Sequence, residues 1–284
     1  MNAFRRQSGF TLIELLTVIG IIAILAALVV PAIKNVGNAN SSVSATRQLL
    51  DDVARARQLA IANHTTVYMV FVPTNFWTIS GSFPNNWWNN LTLAQQTAAT
   101  NLVDKQLSGY TFMANGAVGD QPGRHQWHYL AAWQNLPEGS FIATNKFAVP
   151  GAVVSSTASP FFNQWDQDYP HSDNNAIYAF TNTPVPFPTV DATNLPLPYI
   201  AFNYLGQLTT ADLTPQPLTR DEYIPLTRGT VGYGRDPQTK MLQLTTVTIN
   251  DIVENPPGNS TNSYNIVHID ALTGRATLEY PRMK

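Results

Sequence analysis

The sequence predicts an α+β fold: a long N-terminal helix packed on an antiparallel β-sheet, with a large loop-rich insertion. Three observations point to it. An apolar run near the start passes into an amphipathic helical pattern that ends near residue 63. A stretch of β-branched and aromatic residues follows at once, as a strand requires. Near the C-terminus, polar and apolar residues alternate on either side of a glycine, the pattern of a hairpin.

Residues 1–9 form a short polar leader carrying Arg5 and Arg6. Residues 10–30 are apolar except for Thr11, Glu14, Thr17 and Gly20. As a helix rising ~1.5 Å per residue, this run spans about 31 Å, the thickness of a bilayer core. The expected transmembrane helix is therefore residues 10–33. Arg5 and Arg6 hold the leader on the cytoplasmic side and place the rest of the chain outside. An ordinary secretory signal has a shorter apolar stretch, followed by a small-x-small cleavage site. Here Pro31-Ala32-Ile33-Lys34 follows instead.

Glu14 is the informative residue. A carboxylate inside an apolar span costs at least ~2.5–3.5 kcal/mol on insertion scales, so it needs a partner. A cut between Gly9 and Phe10 would create one, because the new amine of Phe10 neutralises Glu14 of a neighbouring subunit. The run Gly9-Phe10-Thr11-Leu12-Ile13-Glu14-Leu15-Leu16 resembles the prepilin peptidase motif of type IV pilins and type II secretion pseudopilins. That resemblance implies cleavage after Gly9, N-methylation of Phe10, a role for Glu14 in subunit recruitment and register, and a pilin-like fold. Pro31 falls where the family carries a helix-kinking proline, and its missing N–H removes one helical hydrogen bond. The implied partners are other pilin-like subunits, the prepilin peptidase, the inner-membrane assembly platform and membrane lipid. The implied location is the bacterial inner membrane, single-pass, with the C-terminal domain in the periplasm or an extracellular filament.

Residues 34–63 read as an amphipathic continuation of the helix. Residues 37–44 are poor in helix formers, which predicts a frayed or extended stretch. Leu49, Val53, Ala56 and Ala60 then share one face, with Asp51, Arg55 and Gln58 opposite. Asp51 and Arg55 stand in the favourable i,i+4 order. Asn63-His64 ends the helix, and residues 65–72 read as a strand.

Residues 64–284 form the expected exported β-rich domain. Ala56-Arg57-Gln58-Leu59-Ala60-Ile61 followed by Val67-Tyr68-Met69-Val70-Phe71 resembles the helix end and first strand of GspH/FimT-type minor pseudopilins. Ile200-Ala201-Phe202-Asn203-Tyr204-Leu205-Gly206 resembles their strand ending in a glycine turn. The stretch from Ile266 to Tyr280, turning at Thr273-Gly274-Arg275, resembles their closing hairpin. Members of that family are shorter, so residues 81–198 read as an insertion. It holds Trp87, Trp88, Trp127, Trp133 and Trp165, a proline cluster between Pro184 and Pro198, and a short helical pattern over residues 91–107. The tryptophans are either core or a binding surface. An exposed aromatic stripe would favour binding; buried rings would favour packing.

Composition narrows the chemistry. The chain has no cysteine, which excludes thiol catalysis, disulfides and iron–sulfur clusters. Neither a G-x-S-x-G, a P-loop nor a dinucleotide glycine motif occurs, so no catalytic residue, cofactor or enzymatic activity is expected. His125-Gln126-Trp127-His128 lacks the glutamate that a zincin requires. Asp166, Asp168, His171 and Asp173 read as polar turn residues, so no metal site is expected. The net charge is −2. Gly274-Arg275-Ala276-Thr277 lacks the second arginine of DNA-receptor pilins, so nucleic acid is not an expected partner. The sequence thus reads as a minor pseudopilin of a type II secretion pseudopilus or type IV pilus-like filament. The alternative is an adhesive or DNA-binding minor pilin that uses the aromatic insertion.

Overall fold

The computed structural model describes residues 12–116, 120, 125–147, 178–211, 215–234, 238, 244, 251–259 and 265–279, without the side chains of residues 26–40. The chain divides into two units, residues 1–41 and 42–284. Helix α1, Leu12–Asn63, is assigned without a break. The frayed stretch expected over residues 37–44 is therefore helical. At its C-terminal edge, tertiary bonds outweigh weak propensity. Thr46 Oγ1 donates to the Ser42 carbonyl at 2.8 Å, and Asn265 Nδ2 reaches both Ser42 Oγ (3.3 Å) and Thr46 Oγ1 (3.2 Å). Pro31, the expected kink, lies in the stretch whose side chains fall outside the described residues.

Helix α1 ends in a Schellman motif. The Thr65 N–H donates to the Ala60 carbonyl and the His64 N–H to that of Ile61, with His64 in the left-handed region at φ 48°. The chain then enters β1, Val67–Phe71. The remaining strands are β2 (Gly109–Asn115), β3 (Trp127–Tyr129), β4 (Gln134–Asn135), β5 (Ser140–Ile142), β6 (Thr181–Pro186), β7 (Asn194–Phe202), β8 (Glu222–Gly232), β9 (Asp251–Glu254), β10 (Asn265–Ile269) and β11 (Ala276–Glu279). Among the described residues, the first sheet runs β3-β2-β1-β7-β6, with β4 also on β2. The second runs β11-β10-β8-β5, with β9 also on β8. All of these pairings are antiparallel.

Each face of the first sheet has its own core. Val67, Met69 and Phe71 of β1 join Leu49, Val53, Ala56 and Ala60 of α1, together with Ile224 of β8 and Val267 of β10. Tyr68 and Val70 point the other way, toward Trp77, Trp87, Leu102 and Phe187. A strand apolar at every position, rather than alternating, is one covered on both sides. The predicted helix face is the buried one, while Asp51, Arg55 and Gln58 are exposed. The Arg55 guanidinium lies over the Phe112 ring, 5.6 Å from its centroid.

The 81–198 segment differs from a loop-rich insertion where it is described. Its β2 pairs with β1 along the whole strand, from Val67 opposite Ala114 to Phe71 opposite Tyr110. It also supplies α2 (Asn86–Asn89) and α3 (Leu93–Asn101), which help to cover the outer face of the sheet. Helix α3 starts in a capping box: Gln95 N–H donates to Thr92 Oγ1, and Thr92 N–H donates to Gln95 Oε1 at 2.8 Å. The proline cluster forms much of the β6–β7 hairpin, with Pro184 opposite Pro196. β1 pairs only with residues 199–202 of β7. Pro196 and Pro198 thus lie where β7 has one neighbour among the described residues, and a missing N–H is tolerated there.

Candidate functional site

Glu14 lies in the first described turn of α1. It is exposed, and so are the apolar side chains around it, from Leu12 at 82% to Leu25 at 55%. Leu15, Leu16, Val18, Ile19, Ile21 and Ile22 leave no polar face between them. A helix apolar on all sides requires an apolar environment, either lipid or other helices. The hydroxyl of Thr17 is satisfied within the helix, bonding the carbonyls of Ile13 (3.0 Å) and Glu14 (2.9 Å). Glu14 is thus the ionisable group of this surface. Gly9 and Phe10 lie outside the described residues. Among the described residues no helix is long and apolar enough to cross a membrane. The span expected over residues 10–33 runs past them at its start and, in its side chains, at its end.

In the second unit, the three sequence motifs beyond the N-terminus meet at one point. Arg57 Nε donates to the Thr273 carbonyl at 2.7 Å. Gly206, at φ 80°, packs so closely that a Cβ there would lie 2.9 Å from Arg57 Nε. Gly274, at φ 62°, sits against the Gly206 carbonyl, 2.0 Å from where its own Cβ would be. The helix end, the β7 turn and the closing hairpin therefore lock together.

The described tryptophans of residues 81–198 are packed rather than displayed. Trp87 is 3% exposed and makes tilted or edge contacts with Phe76 and Phe187. Trp88, Trp127 and Trp133 are partly buried against the same core. Trp165 and the Asp166–Asp168–His171–Asp173 group lie outside the described residues. His125 and His128 do not form one site. His128 Nε2 lies 2.8 Å from Asp120 Oδ2, whereas His125 lines a cleft near the end of α1.

Two charged clusters escaped the sequence reading, because their partners are far apart in the chain. Lys146 is fully buried, and its ammonium donates to Glu222 and to the Tyr178 carbonyl. Burial lowers its pKa, opposed by the charge of Glu222. His268 stands between two carboxylates, Nε2 at 2.8 Å from Asp221 and Nδ1 at 2.8 Å from Glu279. Its ring stacks on Tyr223 at 4.6 Å. Both clusters fasten β8 to its neighbours, a structural task.

Residues 4–30 match the prokaryotic N-terminal methylation motif. The chain carries a type IV pilin-like prepilin signal. This signal covers Gly9, Phe10 and Glu14 together with most of the apolar run. A signal of this kind suggests association with other pilin subunits and a prepilin peptidase, and a membrane-anchored or filament protein. No curated protein and no solved structure matches the chain.

Proposed function

We propose that this chain is a minor pseudopilin, a non-enzymatic structural subunit of a type II secretion pseudopilus or a type IV pilus-like filament. The observation that carries this reading is the prepilin signal running into a helix that exposes apolar side chains all round and one carboxylate. In the proposed mechanism, prepilin peptidase cuts after Gly9, and Phe10 becomes the N-terminus and is methylated. Methylation leaves the amine basic, so its charge persists. The helix is held in the inner membrane until the assembly platform moves it into a bundle of like helices. There Glu14 of one subunit neutralises the Phe10 amine of the next, which removes the penalty of a buried lone charge. Pro31, without an N–H, removes one hydrogen bond from this helix.

The Arg57–Gly206–Gly274 junction supports placement near the GspH/FimT-type minor pseudopilins, since their motif residues here form one contact. The β-rich domain would face the periplasm or the outside of the filament. The packing of Trp87, Trp88, Trp127 and Trp133 supports the structural reading over an adhesive or DNA-capturing minor pilin. Mass spectrometry of protein from a host with prepilin peptidase tests the reading. The expected result is a chain that begins at N-methylated Phe10; an intact Met1, or a cut beyond Val30, would defeat it.

A further inference from the structure

Polar residues dominate the described lining of a cleft of about 380 Å3 at one end of the first sheet, among them His64, Thr66, Asn115, His125, Tyr204 and Gln207. They come from the end of α1, the start of β1, the end of β2, the approach to β3 and the turn after β7. Among the described residues no Lys, Arg, Asp or Glu lines this cleft. Nor does any described residue hydrogen-bond the side chains of His64, Thr66, His125 or Tyr204. Asn115 Oδ1 is a buried acceptor without a partner among them.

Two features of the lining suit a ligand. First, His64 occupies the left-handed position after α1, where glycine or asparagine is usual. That position carries the His64 imidazole to the lip of the cleft. Second, the turn that presents Tyr204 is locked. Asn203 Oδ1 accepts from the Leu205 and Gln207 N–H groups at 3.0 Å each, and Asn203 Nδ2 donates to Gln207 Oε1 at 3.1 Å. Tyr204, 56% exposed, is thus held out at little further entropy loss.

We propose that this cleft binds a neutral, hydroxyl-rich ligand, a short oligosaccharide. Amides, hydroxyls and imidazoles both donate and accept, as sugar hydroxyls do. The Tyr204 ring offers an apolar face to a sugar ring while its hydroxyl stays polar. The described lining residues include no Lys or Arg, on which the affinity of phosphates and nucleic acid rests. A volume near the low end for ligand pockets suits a few sugar units rather than a protein surface. This site is independent of the assembly reading.

The test uses the full chain in lipid nanodiscs free of sugar-headed detergent. Saturation-transfer difference NMR is run with maltotriose, cellotriose and triacetylchitotriose, and with a proline-rich peptide as the competing class. Transfer from at least one sugar is expected, with Tyr204→Ala weakening it about tenfold. His64→Gly should weaken binding while leaving the melting temperature equal or higher, because glycine relieves the positive φ. No transfer from any sugar, transfer from the peptide alone, or equal binding by wild type and both variants would overturn the proposal. So would a His64→Gly protein that melts earlier and binds normally, which makes His64 a structural residue.

Discussion

Arg57 and Thr273 stand 216 residues apart in sequence, yet Arg57 Nε donates to the Thr273 carbonyl at 2.7 Å. The bond ties the last turns of α1 to the tip of the closing hairpin. It is exposed, so its net contribution is that of an ordinary hydrogen bond, about 0.5–1.5 kcal/mol. Arg57→Ala should lower the melting temperature by roughly 2–4 °C for a domain of this size. Arg57→Lys should not restore it, because an ammonium lacks an Nε donor at that point of the side chain. A full rescue by lysine in differential scanning calorimetry would show that charge, not the Nε bond, matters.

The two glycines beside this bond should respond unequally to alanine. At Gly274 a Cβ meets the Gly206 carbonyl oxygen at 2.0 Å, and the backbone cannot yield without breaking the turn. At Gly206 it meets Arg57 Nε at 2.9 Å and Ile61 Cδ1 at 3.0 Å, both on side chains that can swing away. Each substitution carries the left-handed strain of about 1–2 kcal/mol. Gly274→Ala should add to this the displacement of a packed turn, and so lose clearly more stability in urea titrations. Equal losses would mean that strain alone governs both sites.

Stability should also depend on the protonation of His268. Burial lowers its pKa, but the hydrogen bonds and charges of Glu279 and Asp221 outweigh this and hold it above the usual histidine value. Both ring nitrogens face carboxylates, so only the imidazolium satisfies both. With the folded pKa raised, the contribution is fully present below the unfolded pKa of about 6.5 and is lost as pH rises through the folded value. Asp270, held low chiefly by its Thr273 hydrogen bonds, acts in the opposite sense at acid pH. Unfolding should therefore become easier on passing from pH 6 to pH 9, and His268→Gln should flatten that slope. An unchanged slope in the variant would place the pH dependence elsewhere.

The parts of the fold visible in the sequence are those set by local pattern. The stripe of Leu49, Val53, Ala56 and Ala60 marks the buried helix face, and Gly206 and Gly274 mark turns because only left-handed backbone fits there. Residues 81–198 were harder to read. Their proline cluster suggests loop, yet Pro196 and Pro198 occupy a stretch of β7 with one neighbour among the described residues, where a missing N–H is tolerated. The uninterrupted apolar run of β1 did hold the answer, since a strand without polar positions needs a cover on its second face. The cleft at the end of α1 left no sequence signal. His64, His125 and Tyr204 come from separate loops, and the positive φ of His64 is a backbone property.

The last prediction concerns Glu14. The chain contains no cysteine, so single cysteines placed along residues 12–25 report helix contacts without background. The exposed apolar side chains there drive association or lipid burial whether or not the acid is present. Glu14→Ala should therefore leave membrane insertion intact or improve it, since it removes a penalty of at least ~2.5 kcal/mol. Assembly is another matter, because the neighbour's Phe10 amine then lacks its counter-charge inside an apolar bundle. Crosslinks between subunits should fall sharply in Glu14→Ala. Glu14→Asp should recover part of the loss, because it keeps the charge on a shorter arm. Equal crosslinking by wild type and Glu14→Ala would remove the pairing step while leaving the prepilin signal untouched. A variant that fails to insert at all would instead show that Glu14 acts before assembly.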